Sequence, residues 1–396
     1  MIVGAGVVGA ALAYAASRRG LEVTVLEQAP GAARGGTRWS MGGASWLTWA
    51  GEPRLRDLCR EGLDHYRLLS DELGTGCGFR PLPMVVLAPD DAALDRLASL
   101  LNSARPHGFS GRIVPSDELR DLEPALAPDA AVGAAICEQG RLDTVTLTEA
   151  WLTVAAQLGA IVRYGVEVHA VHQAGVDRAV VRTGEGLIAA DRVVVAAGAW
   201  TRRLLRASGR DVAVLHTHAE VLETEPLPPT VAAIVVSASP ARAELERAIA
   251  APELAWRWDS EMEDELLPAI AELGVTQFDD GKVRLGQVSR AVTGFLAGPL
   301  PTGEAAIRAL VGRYFPSLAT APARLRGCPV SISRDRVPIA GPLPDAPSVW
   351  IVGGLAGPLV YLPALARRIA GTLAGEAAPE LTPFSPARFT AETTAP

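Results

Sequence analysis

The chain has 396 residues, of which 49% are hydrophobic and 20% charged, and its 44 acidic and 37 basic side chains give a net charge of −7. That length exceeds one ordinary hydrophobic core and predicts two domains, and the acidic balance offers no basic footprint for nucleic acid. No apolar run reaches membrane-spanning length and no charged leader precedes a cleavage site, so a cytoplasmic protein without a membrane span is expected.

In chain order, the apolar Met1-Ile2-Val3 reads as a strand, followed by Gly4-Ala5-Gly6-Val7-Val8-Gly9 and an Ala-rich helix from Ala10 to Arg19 that Gly20 closes. The first glycine permits the tight turn, the second lets backbone approach a pyrophosphate, and the third lets helix and strand pack closely. A diphosphate then sits on the helix N-terminus, where free N–H groups and the helix dipole stabilise its charge. The strand Val23 to Leu26 ends at Glu27, 21 residues beyond Gly6, where a carboxylate can accept from both hydroxyls of an adenosine ribose and would repel a 2′-phosphate. The first strand is short for its kind, which leaves open a start a few residues upstream.

Ala32 to Trp49 is a Gly- and Ser-rich loop able to lay backbone N–H groups and the hydroxyls of Thr37 and Ser40 along a cofactor, with Arg38 adding charge. Trp39, Trp46 and Trp49 read equally as core or as pocket wall. Helices are predicted over Leu55 to Leu73, Ala92 to Ala104 and Thr146 to Leu158, with a helix end at 120–124 and a strand over Pro81 to Ala88. Gly140 to Asp143 reads as the turn into the Thr146 helix. Strands follow at Ala160 to Tyr164 and Val166 to Val168, and a hairpin at Ala179 to Arg182 and Gly186 to Asp191. The stretch Val193 to Trp200 is an apolar strand, buried on both faces, whose Ala-Gly end admits a ligand to the backbone.

Asp211 to Leu325 alternates strands and helices, giving a mostly antiparallel second domain. Gly327 to Gly371 returns to the first, through a loop with Asp335, a strand Val349 to Val352, the glycines 353, 354 and 357, and a helix opened by Pro358. His169 and His172 read as exposed. His216 and His218 point one way on a strand but lack a third ligand, and Cys59, Cys77, Cys137 and Cys328 show neither paired nor zinc spacing, so no metal is expected. Lys282 and Arg284 share a strand face by the two-residue period.

Together, the opening glycines with Glu27, GGTR at 35–38, GRLDTVTLTEA at 140–150, VVVAAGAW at 193–200, SRDRVPIAGP at 333–342, GGLAG at 353–357 and LTPFSPARF at 381–389 resemble the FAD-dependent amine and amino-acid oxidases of the D-amino-acid oxidase superfamily, especially the glycine oxidase and sarcosine oxidase branches. The resemblance implies an α/β fold, a Rossmann-type FAD-binding domain from 1–80, 139–210 and 326–396, and an α+β substrate domain with a mostly antiparallel sheet from 81–138 and 211–325. It implies FAD contacts from Gly4, Gly6, Val7, Val8 and Gly9 at the diphosphate and from Glu27, Gln28 and Val168 at the adenosine. Thr37, Arg38, Ser40 and Gly42 would lie near diphosphate and flavin, Ala197, Gly198 and Trp200 would pack on the cofactor, and Gly354, Leu355, Ala356 and Gly357 would face the pyrimidine.

The implied chemistry is oxidation of the C–N bond of a secondary amine or amino acid, such as a specialised metabolite, by hydride transfer to flavin N5, with the imine hydrolysed and O2 reduced to peroxide. Arg38, Arg284 and Tyr361 are the catalytic candidates. Cys328, seven residues before Asp335, has the spacing of the sarcosine oxidase cysteine that bonds the flavin, and a thioether and a packed thiol are equal readings. Arg284 stands where that branch carries an oxygen-activating lysine, so an acceptor-linked dehydrogenase, even as one subunit of a complex, remains an alternative. Val330, Val288 and Tyr361 replace the residues that bind substrate carboxylate in these branches, leaving Arg38, Arg257 or Arg290 to substitute; the same losses motivate a third reading, a non-catalytic flavin-binding partner. Trp256 and Trp258 would alternate onto one face, where a bulkier, more apolar amine and core packing explain them equally well. Oligomeric state is not read from the sequence.

Overall fold

The computed structural model describes residues 1–74, 76–259, 264–295 and 297–389; residues 390–396 of the expected FAD-binding segment 326–396 lie outside them. Short apolar strands, largely buried except for the outermost Ile161–Tyr164, build a six-stranded sheet in the order Ile339–Leu343, Ala346–Gly353, Val193–Val195, Ile2–Val3, Thr24–Glu27, Ile161–Tyr164. All neighbours are parallel except the outer hairpin partner Ile339–Leu343. Such a sheet needs cover on its faces. The helices Val7–Ser17, Arg56–Leu73, Thr144–Gln157 and Leu362–Leu373 pack together as that cover. The Asp143 side chain caps the third, accepting from Val145 N and Thr146 N at 3.0 Å.

The second sheet has eight strands in the order Ala323–Ser333, Val214–Thr224, Val283–Val292, Glu265–Gln277, Ile234–Ser237, Phe79–Ala88, Gly133–Leu142, Gly111–Pro115. Only Ile234–Ser237 beside Phe79–Ala88 is parallel. The α/β class with a mixed, mainly parallel sheet and a mostly antiparallel one is as expected. The strands Gly133–Leu142 and Ala323–Ser333 run unbroken across residues 139 and 326 within the larger sheet, because their pairing with Phe79–Ala88 and Val214–Thr224 continues over their full length. Accordingly Gly140–Leu142 is strand rather than turn, and 327–333 is strand rather than loop. A third sheet is the meander Val168–Gly175, Arg178–Thr183, Gly186–Ala190.

A bulge in the second sheet decides which side chains face the domain junction. Val221 pairs with Gly286 but Glu220 with Val288, so one extra residue is inserted in the strand Val283–Val292. Simple alternation places Arg284, Val288 and Arg290 on one face. The insertion keeps Arg284 beside Glu223 and turns Val288 and Arg290 to the other face, where Val288 packs with Ile307 and Val311 of the helix Pro301–Tyr314.

Gly62 allows the helix Arg56–Leu73 to meet the turn Pro358–Val360: a Cβ there would stand 1.8 Å from Val360 O, which is backbone and cannot swing away. Gly62→Ala is expected to cost about 3 kcal/mol, the upper end of ordinary overpacking, read as a drop in thermal midpoint; an unchanged midpoint would show that the helix is free to shift.

Candidate active site

The opening turn has the shape that a diphosphate requires. Gly4 has φ +108°, and a Cβ on Gly9 would lie 1.9 Å from Gly4 O, so strand and helix touch through bare backbone. The helix starts at Val7 with no side-chain cap on Gly6, and Val7 N donates to Thr37 Oγ1 at 3.1 Å. Val8 is half-buried beside it. Glu27 ends its strand half-buried, its two oxygens accepting from Ala5 N at 2.7 Å and Ala29 N at 2.9 Å. Each oxygen keeps a further lone pair for a ribose hydroxyl. Val166 N donates to Glu27 O, which brings Val168 alongside, whereas Gln28 is exposed. The residues present fit the adenosine diphosphate part of FAD.

The loop after Glu27 crosses from one sheet to the other. Short 3-10 turns form at Gly36–Trp39 and Leu47–Trp49. Thr37 O accepts from Thr144 Oγ1 at 2.6 Å, Gly42 O accepts from Leu142 N at 2.8 Å, and Arg284 Nη1 donates to Ser40 O. Gly42 has φ +77°, and a Cβ there would meet Leu142 O at 2.5 Å. On the other side, a Cβ on Gly36 would stand 3.2 Å from Pro329 O and 4.0 Å from Cys328 Sγ. The strand Ala323–Ser333 also holds the glycine loop: Gly354 N donates to Ser331 Oγ at 2.9 Å, with φ +66° at Gly354 and +54° at Gly357, and Leu355 and Ala356 buried between them. Ala197 and Trp200 are half-buried, and Trp200 packs on Phe295 with ring centroids 3.9 Å apart, while Gly198 is exposed. Thr37, Arg38, Ser40, Gly42, Arg284, Cys328 and the 354–357 loop are therefore brought together along one seam.

Three arginine assignments change. Arg284 is ion-paired with Glu223 at 3.2 Å and stacks over Phe278 at 4.5 Å; burial pulls its pKa down against that carboxylate. Arg290 lies on the helix-facing side of the sheet, bonded to Glu220 at 3.2 Å, and Arg257 holds Asp264 at 2.8 Å, so neither offers a free clamp. Tyr361 is fully buried, its hydroxyl 3.4 Å from Ala356 O and its ring edge-on to Trp49 at 5.6 Å; it is a packing residue because the turn Pro358–Val360 directs it into the helical layer. Trp46 and Trp49 are core, the latter donating to Gly357 O at 3.3 Å. Trp256 is 66% exposed and Trp258 buried, because 252–259 forms a 3-10 helix rather than a strand. Cys328 is buried, and its thiol is pushed up to about 11 by burial against the pull of Arg242 and Arg284.

The sequence reading missed Glu223, Phe278, Arg141 and Arg326. Arg141 stacks on the other side of the loop over Phe278 at 5.4 Å and pairs with Asp279. Arg326 was within reach, since alternation from Cys328 puts it on the same face. His169 is half-buried rather than exposed. His216 and His218 stand 5.5 Å apart by ring centroid, His216 edge-on to Trp258 and Phe295 at 5.2 Å, and His218 Nε2 bonds Gly294 O at 2.7 Å. Among the described residues no group of three His, Cys, Asp or Glu is placed to hold a metal, and no helix is long and apolar enough to cross a membrane.

The family model described as DAO, FAD dependent oxidoreductase, matches residues 1–372. The chain is 29% identical over 230 residues to 4-methylaminobutanoate oxidase (formaldehyde-forming) of Paenarthrobacter nicotinovorans, covering 57% of this chain and 28% of that protein. It is 27% identical over 218 residues to N-methyl-L-tryptophan oxidase of Yersinia pestis (strain Pestoides F), covering 52% of this chain and 54% of that one. The match thus spans about half or less of these relatives' length. Glycine oxidase from Geobacillus kaustophilus shares the fold, with a TM-score of 0.80 at 19% identity over 97% of this chain and 96% of that chain.

Burial, with His218 and Arg202 nearby, pushes the pKa of His216 down to about 3. The folded ring stays neutral to that pH, whereas an unfolded chain takes up the proton near pH 6.5. The unfolded state therefore binds more protons between these values, and this group's contribution to stability is lost as pH falls from about 6.5 toward 3. His216→Phe should flatten the acid side of a thermal-midpoint against pH curve; an unaltered slope would mean that the ring is not held neutral.

Proposed function

Because this chain belongs to the DAO family of FAD-dependent oxidoreductases, we propose that it oxidises the C–N bond of a secondary amine, an N-alkylated amine or amino acid, with the imine hydrolysed to a carbonyl and a smaller amine. Bound FAD supplies a ring that accepts hydride from the carbon beside an unprotonated amine nitrogen. The observation that carries the reading is the seam itself: Thr37 at the helix N-terminus, Cys328 on Ala323–Ser333, the roof strand of the seam, and the Gly354–Gly357 loop meet where two sheets join. Both curated relatives reported above are named for N-methylated substrates, which supports the secondary amine.

The protein's own part is electrostatic and steric. Arg38 places positive charge beside the loop and disfavours protonation of an amine brought there. The buried Leu355 and Ala356 and the walls formed by Phe278 and Trp39 exclude water, which strengthens every charge interaction inside. A thioether from Cys328 to the flavin is the finer part of the proposal, supported by the approach of Sγ to the Gly36 position and by the arginines that oppose burial at the thiol.

O2 is the acceptor in the first reading. The Arg284–Glu223 pair favours a second, transfer to another acceptor, since a cation neutralised at 3.2 Å gives less help to a developing superoxide.

Two measurements test these readings. A panel of N-methylamines and N-methylamino acids should bleach the flavin anaerobically, and admitting air should restore the colour within seconds for an oxidase and slowly for a dehydrogenase; a flavin that no amine bleaches would remove the proposal. On acid precipitation the yellow colour should stay in the pellet, and Cys328→Ser should release it to the supernatant. Colour that leaves the unaltered protein would reject the thioether and leave amine oxidation standing.

A further inference from the structure

Most buried or half-buried arginines here hold a carboxylate. Arg141, Arg242, Arg257, Arg290 and Arg336 pair with Asp279, Glu246, Asp264, Glu220 and Glu246 at 2.6–3.2 Å. Around Trp39 the pattern breaks. The guanidinium carbons of Arg326, Arg38 and Arg284 lie 5.2, 5.5 and 5.9 Å from its ring centroid. Glu223 compensates Arg284 alone. Among the described residues neither Arg38 nor Arg326 has an acidic partner, and Arg326 Nε, like the Nε of the ion-paired Arg141, Arg257 and Arg290, is buried without a hydrogen-bond partner. Cations gathered on one indole with one carboxylate between them repel one another, and a buried guanidinium N–H left unmade is costly. An anion entering from outside would relieve both.

The strand register says what such an anion meets. Arg326 opposes Val221 and Cys328 opposes Ala219, so the two project from one face about 7 Å apart along the strand. Cys328 faces Gly36, and Trp39 closes the same 3-10 turn. Arg326 therefore reaches the seam from the second sheet, whereas the diphosphate belongs at the helix N-terminus, where Val7 N donates to Thr37 Oγ1.

We propose that Arg326, with Arg38, forms an oxyanion subsite against Trp39 that takes the carboxylate of the amine substrate, making the protein selective for N-alkylamino acids over plain amines. This deepens the amine-oxidation reading and rests on it. It relocates carboxylate recognition from Val330, Val288 and Tyr361, which carry no charge, to a guanidinium fork suited to two parallel hydrogen bonds. A phosphate of the cofactor has the same oxyanion chemistry and is the other source of negative charge in reach.

The test uses the flavin-loaded protein and butanoate as the probe. Perturbation of the visible flavin band should give a butanoate Kd that rises at least tenfold in Arg326→Gln and is partly restored in Arg326→Lys, which keeps the charge but not the fork. The kcat/KM ratio for a straight-chain N-methylamino acid over the N-methylalkylamine of equal length should fall at least tenfold in Arg326→Gln, mainly through KM. Flavin content per chain should equal that of the unaltered protein. An equal butanoate Kd in the unaltered protein and Arg326→Lys overturns the proposal even if Arg326→Gln does not fold. Loss of flavin with an unchanged butanoate Kd also overturns it, assigning Arg326 to a cofactor phosphate. Arg326-dependent butanoate binding together with a flavin that no amine bleaches would keep the oxyanion subsite and overturn amine oxidation instead.

Discussion

Thr37 is held from two directions at once: its hydroxyl accepts the first free N–H of the opening helix, and its carbonyl accepts the hydroxyl of Thr144 at the start of another. The loop that carries it is then sewn to two inner strands of the second sheet, at Gly42 and Ser40. Moving one sheet against the other would leave these polar groups unmade, each at a cost of about 1–3 kcal/mol. The geometry of the nucleotide end and of the substrate end is in this way set by a single short segment.

Arginine does nearly all the cationic work in a chain with one lysine. Where a guanidinium is enclosed it generally has a carboxylate: Glu246, itself buried, bridges Arg242 of the helix Ala241–Ile249 and Arg336 of the turn after the roof strand. Asp335 beside it binds Arg388 of the terminal segment at 2.9 Å. Such buried pairs fix register more than they add stability. Against that background a half-buried guanidinium that rests on an indole without a carboxylate is a departure from the chain's own habit.

The Rossmann-type half was legible because its signals are local: glycines at fixed spacing, an acid at a strand end, and doubly apolar strands such as Val193–Val195. The second half was legible only as a class. The bulge opposite Glu220 leaves no mark in composition, yet it decides that Arg284 and Arg290 part company, and only strand pairing reveals it. Tyr361 misled for a related reason, since a polar ring next to a glycine loop reads the same whether the turn sends it outward or into the helical layer. The long strands at 133–142 and 323–333 were cut short because Gly, Pro and Arg within them look like turn chemistry, while full-length pairing on one side overrides that preference.

The order of strands in the smaller sheet has a consequence for biosynthesis. Ile2–Val3 finds Thr24–Glu27 soon after it is made, but its other neighbour is Val193–Val195, and that strand in turn waits for Ala346–Gly353. At ribosomal speeds of about 5–20 residues per second, the first of these delays is roughly 10–40 s. For that interval the nascent chain carries an open, apolar strand edge with nothing of its own to cover it. A chain cut short before Ala346–Gly353 is made would lack the strand that pairs with Val193–Val195, and with it one side of the sheet.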